Sequence, residues 1–414
     1  MAWSRWIGVG IAVGVVCALV PVVSGSITLE HPLGPLSKLQ ARERRPAFEP
    51  SFAGLDPLRM TLRPERVTAP LDKGLTAELT LDATVQRITL AVMKSYRVPQ
   101  AGVVLMDVAS GNLLAYASFV NEGSPADLNV VAEAPAASVF KIVTGAALVE
   151  KAGLNPETEQ CYHGGRSRIL ADELRDDAAR DKWCGTLGMA MARSINVIFG
   201  RLAQKHLTPE DLVQMAGAFG FGSSVPFELK NEATQVEIPA DPLEFARASA
   251  GFWHSTLSPI QGAVLAQTVA NGGVALKPRL VRAIYDGKDK VWEQPAKPCV
   301  LRRSVKPETA AQLSKMMSQT VANGSGFKGF HDAQGRSFLP GIEVAGKTGT
   351  LTRPKDNREY SWFVGFAPIE KPAVAIAALV VNNPTWRIKG PHLARDVLRA
   401  YFAEHGARGV TNPL

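Results

Sequence analysis

Cysteine is scarce in this chain, with four residues among 414. Cys17 lies in an apolar stretch near the N-terminus, and the other three, Cys161, Cys184 and Cys299, cannot all pair within one molecule. No convincing lipoprotein cleavage site surrounds Cys17, so lipidation is not expected. A dense basic strip with interleaved aromatics is also missing. The net charge is +8, yet the basic residues are scattered and only Arg42, Arg44 and Arg45 cluster, which argues against nucleic acid as a partner and leaves that cluster as solvated linker. No internal repeat is visible. A hydrophobic fraction of 46% against 20% charged residues excludes disorder of the whole chain.

Charge is absent altogether from Trp6 to Val23, a run of about the minimum length that crosses a hydrocarbon core as a helix. Arg5 and the terminal amine precede it, and the first acid, Glu30, follows it. The positive-inside rule then makes residues 1–5 a cytoplasmic tail and residues 6–23 a single transmembrane anchor, with the remainder outside the cytoplasmic membrane, periplasmic or extracellular. A cleaved signal peptide, with Val23-Ser24-Gly25 at the cleavage site, is the alternative, and it exports the same residues. Outside, an oxidising environment favours a bridge between Cys161 and Cys184, which bracket a polar, loop-like stretch, with two unpaired thiols as the other reading.

Residues 24–73 carry Pro32, Pro35, Pro46, Pro50, Pro57, Pro64 and Pro70 without a sustained apolar period, and read as an extended linker. Folded structure is expected over residues 74–407. Leu75–Leu81 alternates as a strand does, and Asp82 caps a helix whose Val85, Ile88, Val92 and Tyr96 recur at helical spacing. The apolar runs 102–108 and 113–117 flank Ala109-Ser110-Gly111-Asn112, a hairpin signature. Helices are predicted from Ser138 to Gly153, from Thr208 to Gly220, from Ser258 to Asn271, and from Lys306-Pro307 to Asn323-Gly324. Strands return at 342–350, 361–367 and 374–381, before an amphipathic helix from Pro391 to His405. An antiparallel sheet built from the first and last segments, flanked by helices and accompanied by a mainly helical subdomain, is an α+β layout.

Three short runs carry the chemistry. A serine hydroxyl is a poor nucleophile near neutral pH and needs a base within hydrogen-bond reach. Ser138 and Lys141, three apart at a helix start, share one face, and the positive end of the helix favours an anion at Ser138 and a neutral Lys141. The spacing alone is weak, because Ser325-Gly326-Phe327-Lys328 repeats it in a glycine-rich loop where neither effect operates. In Ser194-Ile195-Asn196, alternate side chains face one cleft if the segment is extended. Ser194 can then relay a proton between Lys141 and a leaving group, and Asn196 can hold a substrate amide. Ser110-Gly111-Asn112 mimics this run but sits at a hairpin tip and reads as turn chemistry. Lys347-Thr348-Gly349-Thr350 occurs once, in an apolar strand. Lys347 supplies a cation for a carboxylate, Thr348 or Thr350 a hydroxyl, Gly349 a gap for a peptide, and the amides of Thr350 and Ser138 an oxyanion hole.

In this order the three runs resemble those of the penicillin-binding protein transpeptidase domain, within the serine β-lactamase-like superfamily. Leu79-Thr80-Leu81-Asp82 with Gln86, Val108 to Asn112, Pro135 to Lys141, Ser258 to Gln261 with Ala270 to Gly273, and Trp362 to Pro368 are similar to landmarks of that family. The likeness covers about residues 74 to 405, and the segment from Cys161 to Cys184 resembles a loop of the elongation-type members. It implies that Ser138 is the acylated nucleophile, Lys141 its base, Ser194 and Asn196 the proton-relaying and substrate-binding pair, and Lys347 to Thr350 the substrate strand. The implied reaction is cross-linking of peptidoglycan stem peptides through a serine acyl-enzyme formed at D-alanyl-D-alanine. β-Lactam antibiotics would be captured by the same serine, and neither cofactor nor metal is expected. The implied partners are stem peptides, the cytoplasmic membrane and, as a candidate only, a lipid-linked glycan polymerase. Residues 24–73 have no room for a glycosyltransferase or pedestal domain, so a short, transpeptidase-only member is expected.

Three rival readings remain. A D,D-carboxypeptidase differs only in using water as acceptor. A β-lactamase needs a group that activates water, and Glu228-Leu229-Lys230-Asn231 only partly echoes such a motif, although Ser138-Val139-Phe140-Lys141 also resembles the class with a carboxylated lysine. A penicillin-binding sensor or scaffold would be expected to carry a cytoplasmic domain, for which the five residues before Trp6 leave no room.

Overall fold

Nine consecutive buried residues, Val374–Asn382, mark the middle of the molecule. A strand with apolar side chains on both faces needs cover on both, and this one lies third in a five-stranded antiparallel sheet. The sheet order is Ala345–Arg353, Arg358–Ala367, Val374–Asn382, Gln100–Asp107 and Leu113–Val120. The helices Ala83–Ser95 and Gly390–His405 cover one face, in a core with Val103, Leu105, Phe363 and Ile376. The helix Pro259–Ala270 covers the other, in a core with Val104, Met106, Trp362 and Val364. Alternate residues of one strand thus enter different cores. Beyond Pro259–Ala270 lies the helical part, formed by Lys141–Glu150, Leu187–Arg193, Asn196–His206, Pro209–Ala218, Pro242–Ala250 and Pro307–Ala322.

This architecture comes from a computed structural model that describes residues 49–406 apart from 122, 354–356 and 384–385. The expected anchor at 6–23 lies outside the described residues, and no helix within them is long and apolar enough to cross a membrane. Two expectations about the first ordered residues change. The segment 50–73 is not all linker: Thr61–Leu62 and Val67–Pro70 are strands, with Val67 and Ala69 buried. Their alternation is only four residues long and interrupted by prolines, too short to register as a period. The strand Thr76–Leu79 also leaves the central sheet and joins a second one, ordered Thr61–Leu62, Val67–Pro70, Thr76–Leu79, Val281–Asp286 and Asp289–Glu293. Thr80 links the two sheets, because its hydroxyl bonds the carbonyls of Leu113 at 2.7 Å and Arg279 at 2.8 Å.

Local signals are well kept. The Asp82 carboxylate accepts from Val85 N at 2.8 Å, Ser258 caps its helix, and Gly111 takes the positive φ of 78° that the hairpin turn requires. Ser110 serves that turn as expected, donating to Asp107 Oδ1 at 2.6 Å.

Candidate active site

Ser138 sits within a tight 3-10 turn, Ala137–Phe140, and the α-helix begins only at Lys141. It is therefore not the helix cap that its position suggests. A capping serine commits its oxygen to a backbone amide, whereas Ser138 Oγ lies 2.9 Å from Lys141 Nζ. The turn is held on three sides. Ala136 N donates to Ser255 O at 2.9 Å, Trp362 Nε1 donates from the sheet to Pro135 O at 2.9 Å, and Gly251 packs against the Ala137 carbonyl. A Cβ on Gly251 would stand 2.1 Å from that carbonyl oxygen, so only glycine fits. Ala137 itself has a φ of 50°, an uncommon conformation for a residue with a side chain, directly before the serine.

Lys141 is fully buried and forms no ion pair among the described residues. Its Nζ donates to Asn196 Oδ1 at 2.7 Å and to Ala250 O at 2.6 Å, and it lies 5.6 Å from the Phe199 ring centre. Burial first, and the nearby Lys347 cation second, hold its pKa well below the usual lysine range. The helix terminus is thus not the main cause. A neutral amine has two N–H bonds and one lone pair. In that neutral form Asn196 Oδ1 and Ala250 O, which can only accept, would take the two N–H bonds and leave the lone pair for the Ser138 hydroxyl.

Ser194 and Asn196 do not share an extended segment. Ser194 adopts left-handed backbone angles, φ 57° and ψ 45°, at the end of the helix Leu187–Arg193, and Asn196 opens the next helix. The reversal still aims both side chains inward, but at different lysines. Lys347 Nζ donates to Ser194 Oγ at 3.0 Å, while Asn196 holds Lys141. Asn196 Nδ2 donates to Ser167 O at 3.1 Å, and one of its N–H bonds stays available.

Ser167 belongs to the loop closed by Cys161 and Cys184. Those cysteines are opposite one another across the strands Glu159–Tyr162 and Trp183–Thr186 and are joined as a disulfide. Arg201, fully buried, holds the loop by donating to the carbonyls of Cys161, Glu173 and Arg175 and to Asp181. Arg201, Phe199 and the Ala250 carbonyl are not legible in the sequence as parts of the site. An arginine inside a helix carries no local sign of burial, and a backbone carbonyl carries none of identity.

Lys347 is buried as deeply as Lys141, and that burial pushes its pKa down to about 7. Its strand, Ala345–Arg353, forms an edge of the sheet. The space at Gly349 is used differently from the expectation. A Cβ there would meet Ala136 O, Ala137 Cβ and Val139 Cγ2, each at 3.2 Å, so the gap admits the turn that carries Ser138 rather than a peptide. Thr348 Oγ1 lies 2.6 Å from Ser325 Oγ, which brings in a serine that the sequence pattern had set aside. Glu228 is not at the site, since its carboxylate accepts from Leu280 N at 3.1 Å and Val281 N at 3.4 Å in the second sheet.

Residues 101–401 match the penicillin-binding protein transpeptidase domain family. The chain is 30% identical over 281 residues to the peptidoglycan D,D-transpeptidase PbpA of Mycolicibacterium smegmatis, covering 65% of this chain and 54% of that protein. It is 28% identical over 376 residues to the stage V sporulation protein D of Bacillus subtilis, covering 84% of this chain and 56% of that one. It spans about half the length of these curated relatives. Among solved structures, the D,D-transpeptidase domain of a peptidoglycan glycosyltransferase from Eggerthella lenta matches with a TM-score of 0.65 and 24% identity, over 80% of this chain and 83% of that one. Penicillin-binding protein A from Mycobacterium tuberculosis, as its penicillin G acyl-enzyme, matches with a TM-score of 0.63 and 23% identity, over 78% and 79%.

Proposed function

Since the chain belongs to the penicillin-binding protein transpeptidase family, we propose that it is a peptidoglycan D,D-transpeptidase that acts through an acyl-enzyme at Ser138. The observation that carries this reading is the 2.9 Å approach of Lys141 Nζ, fully buried and without an ion pair among the described residues, to Ser138 Oγ. Ser138 Oγ attacks the carbonyl of the penultimate D-alanine and passes its proton to Lys141 Nζ. The amides of Ser138 and Thr350 receive the negative charge that develops on the carbonyl oxygen. As the tetrahedral adduct collapses, the C–N bond to terminal D-alanine breaks and its nitrogen takes the proton held on Lys141 Nζ, relayed by the Ser194 hydroxyl, which Lys347 holds in place. An amine from a second stem peptide then attacks the ester carbonyl and gives its proton to the neutral Lys141, which returns it to Ser138 Oγ as the ester C–O bond breaks.

The substrate carboxylate meets Lys347 and Thr348, and Thr350 lines the same strand. By the same chemistry, β-lactams open on Ser138. The site lies outside the cytoplasmic membrane, anchored by the run 6–23. A lipid-linked glycan polymerase is a fitting partner, because cross-linking needs newly made strands.

Among the described residues no carboxylate is hydrogen-bonded to Ser138, Lys141, Ser194 or Lys347, which supports slow attack by water. The purified chain, given a D-alanyl-D-alanine stem peptide and a D-amino acid acceptor, is expected to form the exchanged peptide, and its penicilloyl adduct is expected to last for many minutes. Rapid turnover of penicillin to penicilloate would instead mean a β-lactamase. Release of D-alanine with no acceptor incorporated, even at high amine concentration, would mean a carboxypeptidase.

The contact at Gly349 gives a second expected result. Gly349→Ala pushes the strand away from the Ser138 turn by a few tenths of an ångström, at a stability cost of about 1–3 kcal/mol. Acylation by penicillin should slow roughly tenfold or more, because a small misplacement of reacting groups is costly. An unchanged acylation rate in a folded variant would show that the strand and the nucleophile are not coupled in this way.

A further inference from the structure

Ser325 follows a helix that sits beside the site without belonging to any of the three motif runs. Gly324 brings it there: a Cβ on Gly324 would stand 2.2 Å from the Ala192 carbonyl oxygen, so glycine alone permits this approach. Ser325 N then donates to the same carbonyl at 2.8 Å, and Gly326 N donates to Thr320 O at 2.9 Å. The loop is thereby pinned to the helix Leu187–Arg193, two residues before Ser194. From this anchorage Ser325 Oγ reaches Thr348 Oγ1 at 2.6 Å. Ser325 is exposed and Thr348 half-buried, so the hydroxyl pair stands at the open side of the site. Lys347 Nζ, which donates to the Thr348 carbonyl at 2.9 Å, lies beneath it.

We propose that Ser325 is a positioning residue for carboxylate recognition, whose hydroxyl donates to Thr348 Oγ1 and so turns the Thr348 O–H toward the carboxylate of the acyl donor. The inference rests on the transpeptidase reading and adds a residue to it. A threonine hydroxyl rotates freely and can point its hydrogen into solvent or back at a carbonyl. With its oxygen already accepting from Ser325, its own hydrogen is left for the incoming anion, and the donor chain strengthens that bond. Lys347 supplies the charge and Thr348 the direction. Lys328, three residues on from Ser325, is exposed and hydrogen-bonds neither Ser325 nor Thr348, so the pair does not repeat the arrangement of Ser138 and Lys141.

The test compares a penicillin with its carboxylate methyl ester on the full chain, measuring second-order acylation at Ser138 by intact mass. Ser325→Ala should lower the rate with the free acid by about tenfold, the size expected for one charge-assisted hydrogen bond. The loss should lie in the apparent binding constant rather than in the limiting rate, with an unchanged melting temperature. The ester, which has no anion to recognise, should react with wild type and Ser325→Ala at nearly equal rates. Ser325→Thr, which keeps the hydroxyl, should restore most of the free-acid rate. An equal loss for acid and ester, a free-acid rate untouched by Ser325→Ala, or no rescue by threonine would overturn the assignment. A wild-type chain that penicillin does not acylate would overturn the transpeptidase reading, and this inference with it.

Discussion

Ser138→Ala is expected to abolish covalent labelling by penicillin while leaving the melting temperature within a few degrees of the parent chain. The substitution removes one oxygen from a half-buried side chain, and Lys141 keeps its bonds to Asn196 at 2.7 Å and to Ala250 at 2.6 Å. The stability change should therefore stay near the ~1 kcal/mol of a single hydrogen bond. The turn survives because it is held by Ser255, Trp362 and Gly251, none of which touches the lost hydroxyl. Intact mass after exposure to penicillin reads the outcome, and unfolding followed by fluorescence reads the control. A penicilloyl adduct persisting on any other serine, Ser325 included, would remove Ser138 from its role.

Lys141→Ala should slow acylation by roughly 10²- to 10⁴-fold, the range for loss of a positioned general base. The pH dependence tests the same group without deleting it. Lys141 must be neutral to accept the Ser138 proton, and its pKa is held low by burial first and the Lys347 cation second. The acylation rate should therefore rise with pH as Lys141 loses its proton. On the alkaline side, recognition of the carboxylate should weaken as pH rises through about 7, where Lys347 loses its charge. Lys347→Ala removes the second cause of the Lys141 shift, so the acid limb of the profile should move to higher pH, and the alkaline limb should vanish. An acid limb that stayed in place or moved to lower pH would show that the two lysines do not sense one another.

The same two lysines oppose stability. A buried lysine whose folded pKa lies below its unfolded one binds fewer protons when folded, so its contribution to stability grows as pH rises from about 7, the folded value for Lys347, toward the unfolded value near 10.5. Two buried amines with no carboxylate hydrogen-bonded to them among the described residues are a poor arrangement for folding and a good one for proton transfer.

Where both partners of an interaction lie within a few residues, the interaction is legible in the sequence. Asp82 capping Val85, Thr208 capping its helix beside Asp211, the hairpin at Gly111 and the Ser138-Lys141 pair are all of this kind, and the apolar runs marked the strands that surround them. The motif order was also legible, because it is a property of the chain and not of space. Tertiary structure alone decided which atoms met. Lys141 finds the Ala250 carbonyl across 109 residues, and Lys347 finds Ser194 across 153. Thr348 meets Ser325 only because Gly324 lets one loop press against Ala192. Gly349 looked like room for a substrate and proved to be room for the Ser138 turn, since a missing Cβ records that something comes close without recording what. The two lysines have ordinary side chains in the sequence. Their lowered pKa values arise only when folding strips water from both and places one cation near the other, which is why the chemistry of the site is a property of the fold.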